Sequence, residues 1–348
     1  MSELNKVIKK LSEGKHLTEA EAFAAVGEIM RGEAEAVDIS AFLMGLRVKG
    51  ETVAELTGGV KSMRDVAVRI HPDVDFLVDP VGTGGDQTGT VNISSSAALV
   101  AAAAGAKVAK HGNRSVSSKS GSADFYEALG LDITLSPDEV KHCIETYGFG
   151  FMFAPTFHPA MRYAGPVRRH LGIRTLFNVL GPLSNPAGAK GQVVGVHDAA
   201  IMPFVAETMK AIGVEHALIV HGCDRTDEIT ISGETAIVEL KDGEITASVI
   251  RPQDFGLQTA PLEAIKGDSP ADNVRIIQEA FNGKAGAVRD VILMNAAATI
   301  YVGQKAGSLQ EAFTMAAEAI DSGAVNRLVE QLKQVRHQGQ KPESEIKV

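Results

Sequence analysis

Four stretches of the chain carry residue types suited to handling a polyanion. The first is Gly82-Thr83-Gly84-Gly85-Asp86, followed by Gly89-Thr90-Val91-Asn92-Ile93-Ser94-Ser95 and an apolar helical segment. Glycines let backbone N–H groups approach an anion closely, and a helix N-terminus adds donors and a favourable dipole. The same residues equally suit a tight strand-to-helix turn in which Asn92 or Ser94 only caps the helix. The second is Lys110-His111-Gly112-Asn113-Arg114-Ser115-Val116-Ser117-Ser118, followed by Gly121-Ser122-Ala123-Asp124. Two cations, an imidazole, an amide and several hydroxyls stand just past an apolar run, where open α/β sheets place their ligands. One lysine or arginine there would be a solvated charge, and Asp124 alone a helix cap; the density of polar residues on two successive loops argues for a site. The third is Asp227-Glu228, beyond the apolar run 217–221. Adjacent carboxylates can hold Mg²⁺ together with substrate phosphate oxygens, although acidic pairs are common on exposed loops. The fourth runs from Phe157 to Arg169, where Arg168 or Arg169 could form a bidentate pair with a carboxylate, or be an exposed helix arginine.

The elements that must position these residues follow from the apolar pattern. Over the first 70 residues, Thr18 with Glu21 and Thr52 with Glu55 have capping-box spacing, Asp38 precedes the apolar run 39–46, and Gly14, Gly32 and Gly50 mark helix ends. This predicts about four short helices before His71-Pro72. Short apolar runs at 76–79, 107–110, 149–153, 192–196 and 217–221 then alternate with helical segments, which implies a largely parallel sheet covered by helices. Segments 235–240 and 244–249 flank Asp242-Gly243 and predict a hairpin. Segments 271–281, 287–301, 309–320 and 325–335 read as closing helices, and the polar tail from Gln338 as loose. The expected fold is α/β: a small all-helical N-terminal domain, 1–71, joined by helices from about 158–185, and a larger α/β domain, 72–157 and 186–348, with a mainly parallel central sheet covered by helices. No low-complexity linker separates them, so the two should be packed together.

With 348 residues, 45% hydrophobic and 22% charged, the chain has the composition of a globular protein with room for two cores. Cys143 and Cys223 form no CxxC pair, which fits a reducing compartment and excludes a cysteine zinc site. The N-terminal residues suit an amphipathic helix and lack a signal core, so a cytoplasmic location is expected. The apolar stretch 97–104 is far shorter than the roughly 20 residues of a membrane helix, so no membrane span is expected. A net charge of −9 opposes general binding to nucleic acid and favours small-molecule chemistry.

Taken together, Gly82-Thr83-Gly84-Gly85-Asp86, Asn92-Ile93-Ser94, Lys110-His111-Gly112-Asn113-Arg114, Gly121-Ser122-Ala123-Asp124, Asp227-Glu228 and the run from Arg174 to Pro186 closely resemble the anthranilate phosphoribosyltransferase family. The resemblance extends from about Leu4 to Val335, departing at Ser95, where threonine is usual, and at His170, where an acidic residue is common. It implies transfer of the phosphoribosyl group of 5-phosphoribosyl 1-diphosphate to anthranilate, in tryptophan biosynthesis. It further implies that Gly82, Gly85, Asp86, Thr90, Asn92, Ile93, Ser94, Ser95, Lys110, His111, Gly112, Asn113, Arg114, Ser115, Val116, Ser117, Ser118 and Ser122 bind substrate. Ser94, Asp227 and Glu228 would bind Mg²⁺, and Asn113 and Arg168 would contact anthranilate with Pro155, His158 and Gly181 nearby. No covalent nucleophile or general base is implied, with His111 assisting by hydrogen bonding at most, and the family is typically a homodimer joined through its helical unit. The pyrimidine-nucleoside phosphorylases, and a non-catalytic nucleic-acid-binding relative of the same fold, are the alternative readings.

Overall fold

The computed structural model describes residues 2–85, 88–115 and 119–337. Four helices open the chain: α1 (Glu3–Ser12), α2 (Glu19–Met30), α3 (Ala36–Lys49) and α4 (Val53–Asp65). Both expected capping boxes form, Thr18 with Glu21 and Thr52 with Glu55. Glu55 does more than cap: it is fully buried, accepts from Leu17 N at 2.8 Å, and pairs with Lys49 at 2.9 Å. α3 begins before the apolar run suggests, so Asp38 lies in its first turn, where an acid complements the helix dipole, rather than ahead of the helix.

The α/β part follows as β1 (Leu77–Gly82), α5 (Ile93–Ala103), β2 (Lys107–Gly112), α6 (Ser122–Leu129), α7 (Pro137–Tyr147) and β3 (Phe149–Phe153). Next come the short helices α8 (Ala154–Phe157), α9 (Met161–Leu171) and α10 (Phe177–Leu183). The chain re-enters the sheet with β4 (Gly191–Gly195), α11 (Met202–Ala211), β5 (His216–Gly222), β6 (Thr235–Lys241) and β7 (Glu244–Ile250). α12 (Pro270–Phe281), α13 (Ala287–Val302), α14 (Leu309–Asp321) and α15 (Ala324–Gln334) close the fold. The sheet order is β3-β2-β1-β4-β5-β6-β7, parallel from β3 to β5 and antiparallel through the β6–β7 hairpin. All five expected parallel strands and the hairpin are present.

Period-two alternation sends successive strand residues to opposite faces. Val193, Leu218, Val220 and Ile237 pack with α5, α6 and α12 to α15. Val194, Ala217, Ile219 and Val238 join one continuous apolar cluster with α1 to α4, α9, α10 and α11. The N-terminal helices and the sheet therefore share a core, as expected of packed rather than tethered units. Arg64 of α4 reinforces the junction by donating to the Leu183 carbonyl at 2.8 Å and the Ile212 carbonyl at 3.3 Å, the ends of α10 and α11. The parallel strands all deliver their C-terminal ends to one edge, which carries the loops singled out above.

Candidate active site

The glycine loop begins inside the sheet, because β1 continues to Gly82. A side chain at Gly82 would collide with the Asp227 carboxylate, so only glycine lets this strand end lie against that acid. Gly84 and Gly85 take left-handed backbone angles of 65° and 76°, which glycine adopts without steric cost. Gly84 N donates to Asp227 Oδ2 at 2.7 Å, and Ser94 N, in the first turn of α5, donates to Glu228 Oε1 at 3.1 Å. The acidic pair beyond β5 thus meets the amides of the glycine loop and of the following helix.

Beneath this junction Lys110 is buried within the electrostatic reach of an acid of β1, Asp79. Asp79 of β1 is fully buried; it accepts from His111 N at 3.2 Å and from Asn185 Nδ2 at 2.7 Å. Burial pushes its carboxyl up to about 6, against the opposing pull of Lys110, Asn185 and the His111 N–H. Lys110, 2% exposed, donates to the Pro80 carbonyl at 2.6 Å. Burial lowers its pKa, while the negative charges of Asp79, Glu228 and Asp227 act the other way. One ammonium therefore serves three carboxylates in a low-dielectric setting, where each interaction is strong.

His111 points toward the other side of the cleft. Its ring centroid is 5.0 Å from that of His158, and burial, followed by the charges of His158 and Lys110, pushes it down to about 3. His158, buried and lowered to about 4 for the same first reason, donates through Nε2 to the Ser184 carbonyl at 3.1 Å. Both imidazoles are therefore neutral at ordinary pH. His111 Nε2 is buried without a hydrogen-bond partner, and the Gly181 backbone lies against the ring. Arg168, on α9, packs its guanidinium 5.7 Å from the Phe177 ring centre, whereas Arg169 is exposed. Burial, then the charge of Arg174, lowers the pKa of Arg168. Of the two arginines that spacing left open, Arg168 is the one turned inward.

Other predicted residues are placed less directly. Arg114 spends its guanidinium on α6, at 2.9 Å from Asp124 and 2.7 Å from Glu127. Asp124 also accepts from Ser115 N at 3.1 Å and Gly121 N at 2.9 Å, so it shapes the loop rather than capping as the first residue. Ser122 Oγ donates to the Asn113 carbonyl at 3.3 Å and packs against Gly112, while the Asn113 side chain is exposed. Asn92 is not a side-chain cap of α5; it donates to the Ser120 and Gly121 carbonyls and accepts from Asn273 Nδ2 at 2.8 Å. Thr90 forms a bridge with Lys266. Ile93 and Ser95 are buried, and Ile93 N already donates to the Val91 carbonyl at 2.8 Å, so neither offers an open side chain. Pro155, in α8, is exposed. Asp86, Val116, Ser117, Ser118 and the tail from Gln338 lie outside the described residues.

Three participants have no role assigned by the sequence: Asp79, and Arg174 and Asn185, which fall inside the family run from Arg174 to Pro186. Asp79 had a visible signal, an acid closing the apolar run 76–79, which burial makes costly unless it is paired. Asn185 and Arg174 are brought in by the return of the chain from α9 and α10, which no local pattern reports.

No group of three or more His, Cys, Asp or Glu able to hold a metal occurs among the described residues. The donor set at Asp227 and Glu228 still fits Mg²⁺, a hard ion bound through one or two carboxylates while substrate phosphates and water complete its shell.

Two family models match the chain, the helical bundle domain of the glycosyl transferase family at residues 5–67 and its a/b domain at 75–326. Anthranilate phosphoribosyltransferase from Symbiobacterium thermophilum is 46% identical over 95% of this chain and 97% of its own. The crystal structure of the Thermus thermophilus enzyme superposes with a TM-score of 0.89 at 42% identity, covering 94% of this chain and 98% of that one. The Saccharomyces cerevisiae enzyme in complex with PRPP and Mg has a TM-score of 0.86 at 28% identity, covering 94% and 96%; it is also known in complex with 4-fluoroanthranilate. With its two domains in the same order and its length almost fully matched, the chain belongs to the anthranilate phosphoribosyltransferase family.

Proposed function

We propose that the protein transfers the phosphoribosyl group of 5-phosphoribosyl 1-diphosphate to the amine of anthranilate, releasing diphosphate and N-(5-phosphoribosyl)anthranilate for tryptophan biosynthesis. The observation that carries this reading is the meeting of Gly84 N and Ser94 N with Asp227 and Glu228, above the buried Lys110. Two amide-lined loops, a cation and two carboxylates at one point suit a substrate with a diphosphate and a metal, and the solved yeast complexes supply ligands of that kind.

The mechanism follows from the charges. As diphosphate leaves, negative charge grows on its oxygens and the ribose becomes oxocarbenium-like, so the catalytic task is to stabilise the leaving group and align the amine. Gly82 and Gly85 offer backbone N–H groups, Ser94, whose N–H goes to Glu228, offers its hydroxyl, and Lys110 adds a cationic side chain. Asp86, Thr90, Asn92, Ile93, Ser95 and the residues from His111 to Ser118, with Ser122, complete the proposed donor set. Mg²⁺, held by Asp227, Glu228 and Ser94, would neutralise diphosphate charge when bound. Arg168 receives the anthranilate carboxylate, with Asn113, His158 and Gly181 beside it, and Phe177 under the guanidinium fixes its orientation. Anthranilate's weakly basic amine is unprotonated near neutral pH and attacks without prior deprotonation; the proton it sheds as the N–C bond forms passes to the departing diphosphate or to solvent, and His111, itself neutral, serves as a hydrogen-bonding wall.

The helices near 158–185 are read as part of the helical unit, since α9 packs on α2 and α3, and the cleft then lies between the units. α3 also exposes an apolar ridge, Val37, Ala41, Met44 and Val48, at helical spacing on the face away from its buried residues. That ridge supports a homodimer joined through the helical unit, which light scattering at micromolar concentration tests; a monomer mass counts against it. The cytoplasm is the proposed location; no described helix is long and apolar enough to cross a membrane. Neither nucleic acid nor lipid is a proposed partner. The deciding experiment mixes protein, anthranilate, 5-phosphoribosyl 1-diphosphate and Mg²⁺ and follows anthranilate fluorescence. A steady loss is expected; no loss removes the reading.

A further inference from the structure

Arg174 lies in the connection between α9 and α10, close to Arg168, yet its hydrogen bonds go to the other side of the cleft. It donates through Nη1 to the Gly84 carbonyl at 2.6 Å and through Nη2 toward the Thr83 carbonyl at 3.4 Å, and a side chain at Gly85 would collide with it. In a trans peptide the C=O and the N–H point in opposite directions. The Thr83 carbonyl belongs to the same peptide unit as Gly84 N–H, and the Gly84 carbonyl to the same unit as Gly85 N–H. A guanidinium that holds both carbonyls on one side therefore turns both N–H groups to the other side. Gly84 N shows the result: it donates to Asp227 Oδ2 at 2.7 Å.

The surroundings point to a ligand. Three buried polar atoms near Arg174 have no hydrogen-bond partner: Thr83 Oγ1 on the loop it holds, Thr175 Oγ1 next to it in the chain, and Nδ1 of His197, whose proton affinity burial and then the Arg174 charge lower. Buried unpartnered groups are costly and are normally satisfied by something that binds. Arg174 also raises the positive charge beside Arg168, a like-charge arrangement that an anion relieves.

We propose that Arg174 is a positioning residue for the phosphoribosyl donor: from the acceptor side of the cleft it fixes the two peptide units of the glycine loop so that the Gly84 N–H meets Asp227 and the Gly85 N–H faces the diphosphate. This rests on the phosphoribosyl-transfer reading, and it means that the donor loop is ordered by a residue just beyond the helix that carries anthranilate's arginine.

The test compares Arg174→Ala, Arg174→Lys and Arg168→Ala with the unaltered protein, measuring KM for each substrate, the thermal midpoint, and amide hydrogen exchange over residues 77–85. Losing a charge-assisted bidentate contact should raise the donor KM of Arg174→Ala by roughly tenfold to hundredfold. The anthranilate KM should change by less than about threefold, the size of a lost weak contact. Exchange at Gly84 and Gly85 should quicken while the thermal midpoint holds. Lysine, which cannot span two carbonyls, should recover only part of the effect, and added guanidinium should lower the donor KM of the alanine variant. Arg168→Ala should show the reverse split, with anthranilate KM raised. An anthranilate-only defect in Arg174→Ala, or unchanged donor KM and exchange, overturns the proposal. Should the alanine variant fail to fold, a lysine variant with donor KM and exchange equal to the unaltered protein overturns it equally. Absence of turnover in the unaltered protein would instead sink the reaction itself, while the exchange comparison still judges the role of Arg174 in ordering the loop.

Discussion

The two ends of β5 carry polar clusters of opposite character. At its N-terminal end, His216 donates to Glu239 at 2.9 Å, Tyr301 donates to the same carboxylate oxygen at 2.8 Å, and Lys241 donates to the Tyr301 hydroxyl at 3.1 Å. This network ties the β6–β7 hairpin to α13 and borders a cleft of about 480 Å³. Beyond the C-terminal end, Asp227 and Glu228 meet backbone amides over a buried lysine, and the adjoining cavity, lined by Ser94 and Glu228 among others, is only about 10 Å³. The roomier end is the finished one, with none of the buried side-chain polar atoms of its lining left without a partner. The cramped end has Thr83, His111, Thr175 and His197 atoms without partners. Cavity volume alone would choose the wrong end; unsatisfied polar atoms beside mismatched charge choose the other.

The largest effect expected from this contrast is on turnover. Changing Asp227 and Glu228 together to alanine removes the proposed Mg²⁺ ligands and should lower kcat by on the order of 100-fold or more, as losses of charge stabilisation in transition states do. The thermal midpoint should change little, because the Gly84 and Ser94 amides that they accept from belong to loops that also have other anchors, such as Thr83 N on the Gly195 carbonyl at 2.9 Å. The fluorescence assay across a Mg²⁺ titration checks this. A variant with near-normal turnover would erase the distinction between the two ends.

How much of this was legible beforehand depended on whether a feature is local. The seven strands and the helices that cover them follow from apolar period and punctuation, because burial on both faces or one face writes itself into neighbouring residues. The glycine loop, Lys110-His111 and Asp227-Glu228 were visible as residue types at strand ends. Direction was not visible. Arg114 reads in sequence as a cation beside the donor loops, yet Asp124 and Glu127 take its guanidinium. Ile93 and Ser95 fall inside the family motif, yet the helix phase of α5 turns them into the core. Arg174 and Asn185 reach β1 only because the chain returns through α10 after leaving the sheet, a long-range contact with no local trace.

A second expected effect sharpens the contrast through pH. Burial holds His111 at about 3 and His158 at about 4 in the folded protein, against about 6.5 in an unfolded chain. Between pH 6.5 and 4 the unfolded state therefore binds more protons, so stability is complete above about pH 6.5 and is lost as pH falls. Each histidine contributes up to about 2 kcal/mol of that loss at pH 5. Urea midpoints at pH 7, 6 and 5 should fall accordingly, and His158→Gln should flatten the curve. A curve unchanged by that substitution would mean that the acidic loss arises elsewhere. The finished cluster answers its histidine directly, with Glu239 2.9 Å from His216 Nε2.

The smallest effect belongs to the finished end. Tyr301→Phe keeps the ring, with its edge-on contact to His216 at 4.8 Å, and removes only the hydroxyl between Lys241 and Glu239. Glu239 keeps His216 as a donor, and the exposed Lys241 turns to solvent, so no buried charge is left alone. The expected cost is about 1 kcal/mol, the net worth of a hydrogen bond whose partners can be rehydrated, read as a lower urea midpoint. Both KM values and kcat should equal those of the unaltered protein, because the network lies at the opposite ends of the strands that carry Asp227 and Lys110. A changed kcat or KM in Tyr301→Phe would show that the satisfied network communicates with the cleft, and satisfaction would then cease to separate structural from functional polarity in this fold.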